Sequence, residues 1–131
     1  MQRIIISSNK SKEIIDITDD INQLLANNKS VSGLCYFFLT HTTAALTTAD
    51  LDPGTDLDIL DAIENLIPKL SYRHPHNPAH TKDHIASALV GTDLTIPFEN
   101  KRLVLGTWQR VVLVEFNGPK EREIMVSVVS A

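Results

Sequence analysis

The chain has 131 residues, 43% of them apolar and 21% charged, with a formal net charge of −4. That length suits one domain with a core of its own, and the acidic balance argues against a general binder of nucleic-acid phosphates. Cys35 is the single cysteine and lies in the apolar run VSGLCYFFL, so it forms no internal disulfide and reads as a buried, inert thiol.

The opening MQRIIISS is too short and too weakly charged for a signal-peptide core. No run approaches the ~20 apolar residues that span a bilayer. The expectation is a cytoplasmic protein with neither membrane nor nucleic acid among its partners.

Arg3–Ser7 and Glu13–Ile17 are isoleucine-rich and flank Ser8-Asn9-Lys10-Ser11, a strand, turn and strand. Thr18 precedes Asp19 and Asp20, which predicts an N-cap with favourable first-turn charge. Ile21, Leu24 and Leu25 follow at helical spacing until Asn27-Asn28. Val31–Thr40 reads as a strand apolar on both faces and therefore central in its sheet.

Phe37–Thr48 is FFLTHTTAALTT. Tyr36, Phe38, Ala45 and Leu46 are expected in the core. If the strand holds through His41, that ring shares a face with Leu39 and Thr43, while Thr40 and Thr42 take the other. A histidine leaving a packed strand among three threonines is either a rigid acid–base or ligand group or a core-edge ring bonded to backbone. The residues alone leave both open.

Asp52-Pro53-Gly54 breaks the chain, and Leu57, Leu60, Ile63 and Leu66 then recur every third residue. Ile59 and Ile67 broaden this stripe, predicting an amphipathic helix over Thr55–Leu66 that ends before Pro68. Thr55-x-x-Asp58 fits a capping box. The same Asp58 could instead aim its carboxylate at a histidine and hold that ring's tautomer.

Leu70–His80 carries two prolines with His74, His76 and His80 and reads as a loop. Thr81 is expected to cap a short helix with Ile85, Ala88 and Leu89 inward and Gly91 at its end. His76, His80 and His84 are each four apart, but Pro78 interrupts a continuous helix, so only His80 and His84 can share a helical face. With His41 they form a candidate metal-ligand set, His41, His80 and His84, for a divalent ion such as Zn²⁺ or Mg²⁺. A solvated, histidine-rich loop is the plainer reading.

The remainder is β. Leu94–Phe98 and Arg102–Leu105 flank a turn, Arg110–Phe116 is an almost wholly apolar strand, and Glu123–Val129 follows Asn117-Gly118-Pro119. Trp108 reads as core filler after Leu105-Gly106-Thr107. Glu115 lies inside VVLVEFNG, where a charge must be paired or functional, and Arg122 across the turn is its natural partner. Acids cluster over Asp50–Glu64, whereas Arg110, Lys120 and Arg122 make the C-terminal third locally basic, which suits a small anionic ligand. The order of elements favours an α+β fold, one unit over residues 1–131, with mainly antiparallel sheets in a sandwich-like arrangement and two or three short helices.

His41–Thr47 (HTTAALT), Asp83-His-Ile-x-Ser87, Leu94-x-Ile-Pro, Leu105-Gly-Thr-Trp-Gln and Glu115 with Gly-Pro-x-x-Arg122 together resemble the YjbQ-type family, also labelled secondary thiamine-phosphate synthase enzymes. The resemblance implies a homotrimer with a pocket near the subunit interface, and a reaction that joins a pyrimidine methyl diphosphate to a thiazole phosphate and expels pyrophosphate. Carried over by position, the candidates are His41, His84, Asp58 and Glu115 for catalysis, and Gln109 and Arg122, with Thr42 and Thr43 beside them, for holding a phosphorylated small molecule. Ala49-Asp50 stands where relatives carry Asn-Glu, so a glutamate's part there falls to Asp50 or is lost. A metal-dependent hydrolase and a trimeric anion-binding module without catalysis are the competing readings.

Overall fold

The computed structural model describes residues 1–131. In chain order it runs β1 (Gln2–Ser7), β2 (Glu13–Asp16), α1 (Thr18–Ala26), β3 (Gly33–Leu39), β4 (Ala44–Ala49), α2 (Thr55–Leu66), a 3₁₀ turn (Pro78–His80), α3 (Thr81–Val90), β5 (Asp93–Glu99), β6 (Arg102–Leu103), β7 (Arg110–Glu115) and β8 (Glu121–Ser130). The strands form one five-stranded sheet, β1-β8-β3-β5-β6, and one three-stranded sheet, β2-β7-β4. Every pairing is antiparallel. This is the α+β architecture that the order of elements favours.

The near-absence of alternation in β7 follows from its position. It lies between β2 and β4, and both of its faces are covered. Val111 and Leu113 join the main core with Phe37 and Leu39 of β3 and Ile21 and Leu25 of α1. Val112 and Val114 join a second cluster with Ala45, Ile67, Ala86 and Phe116. A strand dry on two sides has no position for a polar residue until Glu115, which is why that carboxylate had to find a partner.

The five-stranded sheet is dry on one face only. Cys35, Phe37 and Leu39 of β3 point inward, whereas Leu34, Tyr36 and Phe38 are exposed, so the expectation that Tyr36 and Phe38 are core is corrected. Burial pushes the Cys35 thiol up to about 12, which leaves it a protonated, inert core atom at neutral pH.

β3 ends at Leu39, and Thr40–Thr43 form the turn into β4 rather than a continuing strand. Phe116 N–H donates to the Thr43 carbonyl at 3.1 Å and so fastens that turn to the end of β7.

Three expected helix ends are built differently. Thr18 opens α1 from inside: its Oγ1 is buried and accepts the Val111 N–H at 2.8 Å, so it serves the neighbouring strand instead of its own helix. At α2 the cap is Gly54, with φ 94°, and the Thr55–Asp58 capping box does not form. At α3 the cap position is His80, and Thr81 lies inside the helix with its hydroxyl buried and unpartnered. The buried face of α3 is Asp83, Ala86 and Ser87, not Ala88 and Leu89, which face solvent.

Candidate functional site

The turn Thr40–Thr43, the loop before α3, the first turns of α3 and the β7–β8 turn converge at one end of the molecule. They enclose a hollow of about 450 Å³ lined by His41, His74, His80 and His84, by Lys120 and Arg122, and by threonine and asparagine side chains. No apolar residue and no carboxylate lines it. Its volume falls within the range of small-molecule sites.

Arg122 is the best-held group in this hollow, although only 2% of it is exposed. Its Nε donates to Glu115 Oε1 at 2.9 Å, and its Nη2 donates to Glu115 Oε2, to Thr43 Oγ1 at 2.8 Å and to the Thr43 carbonyl at 3.1 Å. Ser8 Oγ and the Asn117 N–H complete the carboxylate shell, at 2.6 Å and 3.1 Å. Burial works to raise the Glu115 pKa, but the bonds from Arg122, Ser8 and Asn117 overcome it and hold the group below the ordinary carboxylate range. Arg122 Nη1 has no protein partner and is not a buried orphan, so it remains the donor available to a ligand.

Lys120 stands beside it. Its backbone N–H donates to Ser8 Oγ at 2.9 Å, while its ammonium is exposed and has no carboxylate within ion-pair distance. Gly118 shapes this turn, because a Cβ there would collide with the Lys10 carbonyl and press on Ser8 Oγ and Glu115 Cγ.

The two histidines singled out in the sequence are held in the same Nδ1–H tautomer but leave opposite ring nitrogens free. His41 Nε2 accepts the Glu123 N–H at 2.8 Å, so its neutral ring carries the proton on Nδ1. Desolvation, followed by the positive charge of Arg122, holds the His41 pKa below the usual imidazole range. His84 Nδ1 donates to the Thr42 carbonyl at 3.1 Å, which leaves its Nε2 lone pair free. His74 stacks on His84 with ring centroids 4.9 Å apart. Ser87, one turn further along α3, donates to the Ala44 carbonyl at 2.7 Å and clamps the helix to β4.

His80 is oriented by a group the sequence did not flag. Its Nδ1 lies 3.0 Å from Asp83 Oδ2, and the other oxygen of buried Asp83 accepts from Lys12 Nζ at 2.5 Å. Lys12 and Asp83 are 71 residues apart, and neither stands in a pattern that announces the other.

Several expected site residues lie elsewhere. Asp58 is on the exposed side of α2 and does not line the hollow; the ring positions it was assigned to fix are set by the Thr42 carbonyl and the Glu123 N–H. Gln109 braces the Gly106–Gln109 turn and donates to Thr48 Oγ1 at 3.2 Å. It sits at the Ala49 end of the β4–β7 pair, opposite the Ala44 end that faces Glu115.

Arg110 is likewise remote and is bound to Asp16 at 2.7 Å. Trp108 is 70% exposed rather than core, because residues 106–109 leave the sheet as a turn. Thr42 and Thr43 do belong to the site, the first as an exposed wall and the second as a buried acceptor for Arg122. Glu115 acts through Arg122 and does not itself line the hollow.

His41, His80 and His84 line the same hollow, but no three His, Cys, Asp or Glu side chains of the chain are placed to hold one metal ion. His41 Nε2 and His80 Nδ1 are already engaged with the protein. No helix is long and apolar enough to cross a membrane.

Fold and site together define a small α+β protein with a histidine-lined, cationic hollow at one end of its sheets. The family model described as UPF0047 protein YjbQ-like matches residues 2–131, and the chain belongs to this family. A UPF0047 protein of Methanocaldococcus jannaschii is 35% identical over 125 residues, covering 95% of this chain and 90% of that protein. The UPF0047 protein YugU of Bacillus subtilis is 32% identical over 124 residues, 94% of each. Among solved structures, a YbjQ-like protein of unknown function from Sulfolobus solfataricus superposes with a TM-score of 0.91 at 31% identity, over 99% of this chain and 96% of that one. A conserved hypothetical protein from Thermus thermophilus gives 0.87 at 32% identity, over 98% and 100%.

Proposed function

We propose that this chain is a small-molecule enzyme whose hollow binds the phosphate of its substrate. The observation that carries this reading is the lining: Arg122 Nη1, the free Lys120 ammonium and four imidazoles, with no carboxylate among them. An anion entering this space exchanges water for fixed donors whose own counter-charge, Glu115, is sealed behind Arg122. His41 then serves as a donor through Nδ1–H and His84 as an acceptor through Nε2. These are complementary halves of an acid–base pair.

The finer form of the proposal is a thiamine-phosphate-synthase-type transfer, in which pyrimidine methyl diphosphate and thiazole phosphate are joined with loss of pyrophosphate. Both substrates are phosphorylated and the leaving group is polyanionic, which is the charge that Lys120 and Arg122 suit. Incubating the purified protein with both precursors tests it. Product from the wild type and loss of product in His84→Ala support the assignment. Equal product from both removes His84 from the chemistry, and phosphate binding without any product reduces the protein to an anion-binding module.

A metal-dependent hydrolase is the second reading, because the Nε2 atoms of His80 and His84 have no protein partner and both rings line one hollow. These two would hold Zn²⁺ rather than Mg²⁺, since imidazole nitrogens suit the former, with the ligand completing its shell. Elemental analysis after mild purification, and the response to added zinc, decide it. The homotrimer implied by the family resemblance belongs here too. Leu34, Tyr36 and Phe38 on β3 and Val129 on β8 supply exposed apolar surface for association, and light scattering gives the mass.

A further inference from the structure

The polar hollow is not the only space at this end of the molecule. Between α2 and α3 runs a groove of about 470 Å³ whose apolar wall is Leu57, Leu60, Ile63, Ile67, Ala86 and Phe116. His80 and Asn117 line both the groove and the hollow, so the two spaces share a wall. Their electrostatics differ. Both cations along the groove are already matched: Lys12 meets Asp83, and Lys82 donates to Glu64 Oε1 at 2.8 Å, which ties α3 to α2. Asp61 is the one lining charge without a partner, and it is negative. The one lining cation without a carboxylate partner, Lys120, lies on the hollow's side of His80, beside Arg122.

We propose that the groove is the second compartment of a single binding site, and that the ligand is an organic phosphate whose compact apolar part lies along α2 while its phosphate occupies the hollow. The inference rests on the reading of the hollow as an anion site. It explains why the apolar stripe of α2 is only partly covered, with Leu60 and Ile63 packed on the second cluster and Leu57 left open. Leu57, at 60% exposed, faces space that a ligand would fill. It also orients the ligand, since Asp61 repels a phosphate from the groove while Lys120 and Arg122 attract it to the hollow. His80, held by Asp83 at the boundary, is placed against the bond that joins the two parts.

Calorimetric titration with inorganic phosphate and with phenyl phosphate tests the proposal on the wild type and two variants. Leu57→Asp and Ala79→Phe change exposed groove positions, so neither should perturb folding, and the second fills the groove. The wild type should bind phenyl phosphate at least about tenfold more tightly than inorganic phosphate, as expected for burying one ring. Both variants should lose most of that advantage and keep their affinity for inorganic phosphate.

Inorganic phosphate bound with no gain from the phenyl group overturns the groove assignment and leaves the anion site standing. Binding of neither compound overturns both. An advantage that survives in both variants, or variants whose only change is in oligomeric mass, would assign the groove to another role and sink the proposal.

Discussion

Arg122 and Glu115 form a two-point ion pair across the Asn117–Pro119 turn, one bond at 2.9 Å from Nε and a second from Nη2, with neither residue more than 2% exposed. The pair joins the end of β7 to the start of β8, and through Thr43 it fixes the turn that carries His41. Structure and site therefore depend on the same contact. Breaking a buried pair leaves an uncompensated charge, so Arg122→Met should cost about 3–5 kcal/mol in chemical denaturation. Glu115→Leu combined with Arg122→Met should cost less than Arg122→Met alone.

The same pair predicts an acid response. Because the folded-state pKa of Glu115 is lowered, its contribution to stability is present above the ordinary carboxylate range and is lost as pH falls through the lowered value. Denaturation midpoints measured on descending pH should fall less steeply in Glu115→Gln than in the wild type.

His41 titrates with the same sign. Its pKa is lowered, so the folded state favours the neutral ring; the associated stability is present above the usual imidazole range and is lost as pH falls through the folded value. Protonating Nε2 removes the acceptor of the Glu123 N–H. The Glu123 amide resonance should shift with the His41 titration and should be insensitive to pH over that range in His41→Phe.

Ser87 tests how firmly α3 is held. Its buried hydroxyl makes one bond, to the Ala44 carbonyl at 2.7 Å. Ser87→Ala should destabilise by about 1 kcal/mol, with a carbonyl left unpaired. Faster hydrogen exchange in the first turns of α3, including His84, should accompany it.

Gly118 has room for a hydrogen and nothing larger. Gly118→Ala should cost roughly 1–3 kcal/mol through overpacking against Ser8 and Glu115. It should also weaken phosphate binding by displacing Lys120, and calorimetry on folded protein separates the two effects.

What the sequence disclosed divides by the range of the forces involved. The bounds of α2 were legible because Gly54 and a three-residue apolar period act within the segment itself. The Glu115–Arg122 pair was legible because a carboxylate inside VVLVEF has few affordable fates. Thr18 and Thr81 misled because a threonine near a helix start has two possible customers: Thr18 is claimed by β7, and Thr81 turns inward without a partner. The extension of β3 through His41 failed because the chain must turn there to pair β4 with β7.

Asp83 and Lys12 were illegible for another reason. Their meeting depends on the packing of the β1–β2 loop against α3, and nothing local in either segment encodes it. Trp108 reads as core filler because a large apolar ring usually is, but the turn that carries it projects beyond the sheet.

The most direct test of the account is calorimetric titration of inorganic phosphate into the wild type and into Lys120→Ala, a change at an exposed side chain that leaves the Glu115–Arg122 pair intact. The account predicts saturable binding by the wild type and a loss of about tenfold or more in the variant, the weight of one charge-assisted contact. Wild-type protein that takes up no phosphate, or a variant that binds it equally well, would contradict it.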